Sequence, residues 1–512
     1  MSPATASLRV IRPGFQRAVG VSIAGAVAAS LLAVLALQST NTAVHVAAPV
    51  LLAGVAAWMF FSERYERTLA VLLLYLGLLD GFLKLKTGST IATLGRDVLL
   101  YSFALGVLVR AMLRRHALPS PPLLFGVVAW VFLCVAQIFN PAAVSLTHAA
   151  AAIRQHIEFV PLFFAGYLVL RSKERLAGLF VLLIIVAAVN GVVALVQEHL
   201  TPGQLASWGP GYATEVFGSG TLSAREFYVN GVFHVRPPAL GGDFGFGGAV
   251  GLIALPGTLA LLSGGSRLRQ SSWVAWLGGP LVILAIATSQ ARTDVVAAAV
   301  ALIAFLGLTV TSRRGATVLV AALALAALSY LGATQLIQGT GPNRYSSIAP
   351  SKVVSTTVNY RASTLSLIPT YALAFPLGAG MGSAGPAAYA AVGGAVTGAA
   401  RGLDAESEFT FLEIELGLPG LAILLTLTGT VIWFGIRLRR IADPALQRAL
   451  MALTAVSIGV AAVWIVGPVS ATSPFAPFFW LCAGTMAYWY GEIRCGRVQS
   501  RSRPLRAALA GR

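Results

Sequence analysis

Four arginines of this sequence lie where positive charge is scarce in a membrane protein: Arg236, Arg292, Arg361 and Arg401. A guanidinium held at membrane depth, or on the outer face, is costly and marks a candidate functional site. A planar guanidinium holds phosphate oxygens through two parallel hydrogen bonds. These arginines therefore predict a site for an anion, with a phosphate group as the expected ligand.

Two polar side chains accompany the arginines along the chain. Gln290 lies two residues before Arg292 in the segment SQARTD, and Asp243 follows Arg236 just ahead of an apolar run. We predict that Gln290 and Asp243 bind the same ligand. The structural alternative is that Asp294 neutralises Arg292 and that Asp243 pairs with Arg236.

Two glutamates, Glu406 and Glu408, precede another long apolar run. A positioned carboxylate can accept a proton from a reacting hydroxyl group. We predict Glu406 as that base, and Glu408 and Arg361 as ligand-binding residues. Carboxylates ahead of a helix also serve as ordinary caps, which is the alternative for both glutamates.

The composition requires these residues to be held by membrane helices. The 512 residues are 57% hydrophobic and 11% charged, and the mean hydropathy is +0.80. Long apolar runs with short basic interruptions predict an all-α, polytopic transmembrane bundle. At roughly 17–25 apolar residues for each span, we expect about fourteen spans and two large outer-face loops.

The predicted organisation has five parts. They are an N-terminal transmembrane bundle (1–197), a first outer loop (198–245), further transmembrane helices (246–333), a second outer loop with short helices (334–416), and C-terminal transmembrane helices with a basic cytoplasmic tail (417–512). Loops as long as these two are generally functional.

The charge distribution predicts the orientation and excludes one class of partner. The net charge is +18, but the basic residues form small clusters at span ends and in the tail. That distribution follows the positive-inside rule, so we expect both termini in the cytoplasm and both long loops outside. The clusters are expected to contact anionic membrane lipids and not nucleic acid.

Metal and nucleotide chemistry find no support in the motifs. The glycine-rich segments lack the Lys-Ser/Thr pair of a P-loop, and the six histidines are scattered. We therefore predict no metal and no cofactor. His156, with Arg154 and Glu158, is expected at the edge of an amphipathic interfacial helix, and Arg96 and Asp97 are expected as a buried structural pair.

Four short motifs follow one another along the chain between roughly residues 230 and 440. They are Arg236 with a glycine-bearing stretch, SQART at Arg292, Arg361 with a short helix and Pro376-Leu377-Gly378-x-Gly380, and a polar pair followed by Gly417-Leu418-x-Gly420. In order and spacing this resembles the O-antigen ligase/polymerase family of bacterial envelope glycan assembly. Ligases of that family carry His-Asn where this chain has Glu406-Ser407.

The resemblance implies a membrane glycosyltransferase that needs neither metal nor nucleotide. It would polymerise or ligate saccharide units carried on undecaprenyl diphosphate, at the outer face of a bacterial inner membrane. The acceptor would be a glycan or a lipid. Fixed guanidinium groups would stabilise the charge that builds on the leaving diphosphate, with Arg236 and Arg292 in that role.

A secondary transporter or a flippase of lipid-linked saccharide is the alternative function. Such proteins also combine many spans with a polar core, and they are typically built from two related halves with broken helices. The polar residues of this sequence gather instead toward one face, and the large loops lie in its second half.

Overall fold

The computed structural model describes most of the chain in eleven stretches. They are residues 42–88, 91–113, 120–143, 146–218, 226–229, 232–243, 245–263, 269–309, 359–385, 403 and 405–499. The predicted spans near 19–38 and 316–334, and Arg401, lie outside these residues.

The described residues are mainly helical, which confirms the predicted helical class. The helices of the first half are α1 (Thr42–Phe61), α2 (Tyr65–Leu74), α3 (Asp80–Thr87), α4 (Ile91–Leu113), α5 (Leu124–Ala136), α6 (Leu146–Ile157), α7 (Pro161–Val169), α8 (Lys173–Glu198), α9 (Pro202–Ala206) and α10 (Pro210–Phe217). A π-helical turn (Tyr75–Leu79) joins α2 to α3, and a 3-10 turn (Gln137–Phe139) extends α5.

A short antiparallel hairpin precedes the second set of helices. Its strands are β1 (Glu226–Val229) and β2 (Val232–Val235). The later helices are α11 (Phe246–Leu262), α12 (Arg269–Thr288), α13 (Arg292–Thr309), α14 (Asn359–Ser366), α15 (Ile368–Ala374), α16 (Glu408–Leu438), α17 (Pro444–Val463) and α18 (Phe475–Arg494).

Five helical segments are long and apolar enough to cross a membrane: Tyr65–Thr87, Lys173–Glu198, Arg292–Thr309, Glu408–Leu438 and Pro444–Val463. Large apolar side chains are exposed on the bundle surface, including Phe125 and Phe132 on α5. Exposed side chains of this kind fit a surface that faces lipid. The apolar helices support a membrane protein, and the count of fourteen spans stays a prediction.

Local sequence explains where the longest helix begins and bends. Ser407 caps α16, since its side chain accepts from the backbone N–H of Thr410 and the Thr410 hydroxyl accepts from the Ser407 backbone. The cap starts the helix at Glu408, ahead of the span predicted from Gly417. Gly417 nevertheless interrupts the helical geometry, with φ 67° and ψ −170°.

Helix α11 lies at the centre of the second half and packs against α8, α12, α13 and α17. A Cβ atom at Gly251 would approach the Val282 carbonyl oxygen of α12 to 3.0 Å, and one at Gly257 would meet Phe180 of α8 at 2.4 Å. Small residues allow helices in a membrane to approach this closely. The glycines within α11 therefore have a packing role.

The two ends of the bundle differ in chemistry. We call one the basic end; it carries the partnered charges Glu66, Lys173, Arg175, Asp443 and Arg497 near the start of α8. We call the other the polar end; it carries buried or half-buried polar side chains near the end of α8 and the start of α16, namely Asp80, Arg96, His156, Glu198, Gln290, Asp294, Glu408 and Glu415.

Candidate functional site

The segment that follows Arg236 is seated on the C-terminal part of α8. Gln197 makes two hydrogen bonds with the backbone of Ala239, at 2.8 and 3.0 Å, and Asn190 accepts from the Leu240 N–H at 3.0 Å. Ala239 is buried and has φ 54°, a conformation that an L-residue rarely adopts. Arg236 itself is half-buried at the start of this seated segment.

The segment that carries Arg292 meets α8 at the adjacent position. Gln290 is fully buried between α12 and α13, with φ 53°, and its Nε2 donates to Glu198 Oε1 at 3.0 Å. Arg292 is half-buried at the first position of α13. The segments of Arg236 and Arg292 are thus attached to consecutive residues of α8, Gln197 and Glu198.

Four buried polar atoms around this point have no hydrogen-bond partner among the described residues. They are Glu198 Oε2, Gln290 Oε1, Arg292 Nε and Asp294 Oδ2. A buried polar atom without a partner is costly, so a group of them marks a candidate binding site. Three of the four are acceptors, and they suit a ligand that brings hydroxyl or other donor groups.

Asp294 lies against the N-terminal turn of α11. A Cβ atom placed on Gly248 would lie 2.4 Å from Asp294 Oδ2 and 2.5 Å from Ser289 Oγ, so both oxygens flank this glycine. Within the described part of the chain, no hydrogen bond or ion pair joins Asp294 to Arg292. Arg292 is therefore not neutralised by Asp294, and the structural alternative for this pair loses its support.

The two glycine motifs of the second half pack directly on one another. The Leu418 N–H donates to the Pro376 carbonyl oxygen at 3.1 Å, and the Ala379 N–H donates to the Ile414 carbonyl oxygen at 2.6 Å. Gly378 has φ 83°, and a Cβ there would lie 2.6 Å from the Glu415 carbonyl oxygen. Glycine is needed because side chains would collide at this contact.

Glu415, which the sequence interpretation did not single out, binds this turn. Its Oε1 accepts from the Gly382 N–H at 2.9 Å, and its Oε2 lies 2.6 Å from His156 Nε2. Both side chains are fully buried, and the His156 ring stacks on Phe411. His156 therefore lies inside the protein, and the position of its helix at the membrane interface stays a prediction.

Glu406 and Glu408 have different surroundings. Glu406 is exposed just before the Ser407 cap. Glu408 is fully buried, and its carboxylate accepts from the backbone N–H groups of Val469 and Ser470, at 2.6 and 2.8 Å, and from the Ser470 hydroxyl. Glu408 thus braces the loop after α17, whereas the Glu406 side chain is exposed.

The other predicted site residues are placed more simply. Asp243 is exposed at the end of the segment that begins with Arg236. Arg361 lies in the short helix α14, which packs against α15 and α16, and its side chain is outside the described part of the structure. No group of three His, Cys, Asp or Glu side chains suited to a metal is found in the described ranges.

The predicted pair of Arg96 and Asp97 belongs to a larger network. Arg96 binds the carboxylates of Asp80, at 2.9 Å, and Glu158, while Asp97 binds Arg154 at 2.9 Å. Each member thus pairs with a residue of another segment, which the sequence could not reveal because its partners are distant along the chain.

No protein-family model matches the chain, and no curated protein matches it.

Proposed function

We propose that this chain is a membrane glycosyltransferase that polymerises or ligates saccharide units carried on undecaprenyl diphosphate. The observation that carries the proposal is the seating of the Arg236 and Arg292 segments on adjacent residues of α8, Gln197 and Glu198. Two guanidinium groups brought to one end of α8 suit a diphosphate, because each guanidinium can donate two parallel hydrogen bonds to phosphate oxygens.

The orientation of the bundle supports the same reading. By the positive-inside rule, the basic end belongs in the cytoplasm of a bacterial inner membrane. The polar end then faces the outer side, where a lipid-linked saccharide already carries its activated bond and neither nucleotide nor metal is required. The proposal includes about fourteen membrane spans and places both chain termini in the cytoplasm.

The reaction follows from the proposed roles. The hydroxyl oxygen of a glycan or lipid acceptor attacks the anomeric carbon, and the bond from that carbon to the diphosphate oxygen breaks. Undecaprenyl diphosphate leaves with the bonding electrons, and Arg236 and Arg292 stabilise its growing negative charge. The hydroxyl proton passes to Glu406, while Gln290, Asp243 and Arg361 hold the saccharide; Glu408, predicted to bind it, is instead buried against the loop at Val469 and Ser470.

The test compares arginine variants at the two ends of the bundle. Arg236→Ala and Arg292→Ala are expressed in a strain that lacks the native gene, and surface glycan length and amount are measured beside the amount of protein. Each variant is expected to reduce transfer about 100-fold, the effect of removing one donor to a developing anion. Arg497→Ala is the control, because Arg497 is 64% exposed at the basic end.

Two results would contradict the proposal. Normal surface glycan at normal protein levels in both variants would remove the role of the arginines. Accumulation of lipid-linked saccharide in the inner leaflet would favour the flippase alternative, whereas accumulation in the outer leaflet supports the transferase.

A further inference from the structure

The two segments that carry the predicted site motifs are far apart in sequence. We refer to residues 236–243 as the first segment and to residues 376–385 as the glycine turn. A series of polar and packing contacts, most of them fully or partly buried, runs between them through the polar end. Its members come from α3, α4, the end of α6 and α16.

The series begins at the glycine turn. Glu415 accepts from the N–H groups of Gly382, at 2.9 Å, and Ala384, at 3.4 Å, through the same oxygen. Its other oxygen takes His156 Nε2 at 2.6 Å. Both oxygens of the Glu415 carboxyl group are therefore engaged, one by the glycine turn and the other by His156.

Helix α6 carries the series onward. His156 is held in place by Phe411, which stacks on its ring, and by Trp130, whose indole N–H donates to the His156 carbonyl oxygen at 3.1 Å. Glu158 follows two residues later, and its two oxygens accept from Nε and Nη2 along one edge of the Arg96 guanidinium. This bidentate pair fixes the direction of Arg96 as well as its distance.

The series ends at the first segment. Arg96 Nη1 donates to Asp80 Oδ2 at 2.9 Å. The next residue, Gly81, packs so closely that a Cβ there would meet the backbone of Gly242 at 2.0 Å. Lys84, on the same helix, donates to the Gly242 carbonyl oxygen at 3.3 Å.

We propose that Glu415 and Arg96 are positioning residues that fix the glycine turn relative to the first segment. The proposal rests on the proposed function only in taking these two segments as parts of one site. The link between Glu415 and His156 is fully buried, so its hydrogen bond does not compete with water and holds its geometry. Transfer then depends on Glu415 although Glu415 does not contact the reacting atoms.

Stability alone does not account for this series of contacts between the glycine turn and the first segment. A buried ion pair is often no more stabilising than apolar residues of the same volume. Glu408 supplies an internal comparison, since it lies seven residues before Glu415 on the same helix and is equally buried. Its carboxylate binds the loop at Val469 and Ser470, which carries no predicted site residue.

The experiment uses the full-length protein in lipid nanodiscs and compares Glu415→Leu, Glu415→Gln and Glu408→Leu. Amide hydrogen exchange is measured over residues 376–385 without any substrate. Transfer is measured with polyprenyl diphosphate-linked saccharide extracted from the native host, and kcat is separated from KM.

Glu415→Leu is expected to speed exchange in the glycine turn about tenfold, because two amides lose their acceptor. It is expected to lower kcat at least about tenfold with little change in KM, because misplaced groups slow the reacting step. Glu415→Gln retains an acceptor oxygen and is expected to restore most of both values. Glu408→Leu is expected to speed exchange near residues 469–470 and to leave the glycine turn unchanged.

Unchanged exchange in the glycine turn of a folded Glu415→Leu protein would overturn the inference. Equal effects of Glu408→Leu and Glu415→Leu on the glycine turn would also overturn it, since the effect would then be general loosening. If Glu415→Leu does not fold, His156→Leu is measured instead. It removes the side chain that contacts Glu415, and hydrogen exchange in its glycine turn is interpreted by the same criteria. Failure of the proposed function is distinct, because exchange is read without substrate.

Discussion

The basic end and the polar end use charge in opposite ways. At the basic end, Lys173 and Asp443 pair at 2.8 Å while 25% and 34% of their side chains remain exposed. At the polar end, His156 and Glu415 pair at 2.6 Å with no exposure at all. Water stabilises the first pair whether or not the partner is present, but only the protein stabilises the second.

This difference separates charges that set orientation from charges that build a site. Exposed basic residues can move without loss, and their contribution is to be on the correct side of the membrane. Buried charges must find partners within the fold or leave polar atoms unsatisfied. Substitutions should therefore have large effects of either sign at the polar end and small effects at the basic end.

Removing the central cation of the polar end should give the largest effect. Arg96→Ala leaves the carboxylates of Asp80 and Glu158 without their main partner, and breaking a buried ion pair in this way costs about 3–5 kcal/mol. We expect thermal unfolding of the purified protein at a much lower temperature, together with reduced amounts in the membrane. Arg497→Ala serves as the control, and equal unfolding temperatures for the two variants would remove the distinction between the ends.

Asp294 should show the opposite sign at the same end. Its Oδ2 is buried without a hydrogen-bond partner in the described structure, so its charge destabilises the fold. Asp294→Asn keeps the shape and removes the charge, and we expect the free energy of unfolding to rise by up to about 1–3 kcal/mol. A marked decrease measured by thermal unfolding would show that the carboxylate has a stabilising partner.

The contact between the glycine motifs should be sensitive to a single methyl group. Gly417 has φ 67°, and a Cβ there would lie 2.5 Å from the Gly378 nitrogen. Gly417→Ala should cost about 1–3 kcal/mol for the backbone strain alone. Gly429 is the matched control on α16, because no atom of the described residues lies within 4 Å of its Cβ position. There Ala should be neutral or stabilising by up to about 1 kcal/mol, since Ala favours a helix.

The sequence predicts the local features of the fold better than its long-range contacts. Apolar length identified the membrane helices, and the cap at Ser407 and the break at Gly417 are local signals of the kind that sequence carries. The pairing of His156 with Glu415 is different, because these residues are 259 positions apart. Its one sequence signal is a glutamate, Glu415, within an apolar run that offers no nearby cation.

The candidate site also combines residue types that the sequence shows with contacts that only the fold shows. The types of Arg236 and Arg292 predicted an anion site, but their common attachment to α8 needed the fold. Glu198 was unremarked because a carboxylate at a helix end is also an ordinary solvated charge. What distinguishes it is its buried Oε2 atom, which has no hydrogen-bond partner among the described residues.

The smallest effect is expected for Asp443 at the basic end. Burial alone raises the pKa of this carboxyl, but hydrogen bonds from Lys173 and from the N–H groups of Ala445 and Leu446 outweigh it and lower the pKa below its ordinary value. The resulting stability is fully present above the unfolded pKa, about 3.9, and is lost as the pH falls through the lower folded pKa.

Asp443→Asn keeps a good helix cap and removes the charge. We expect it to lose less than about 1 kcal/mol at pH 7, in unfolding experiments at fixed ionic strength. The difference from wild type should shrink below about pH 4 and stay constant between pH 5 and 8. A loss as large as that of Arg96→Ala would show that the exposed pair is held as rigidly as the buried one, and the two ends would then obey the same rule.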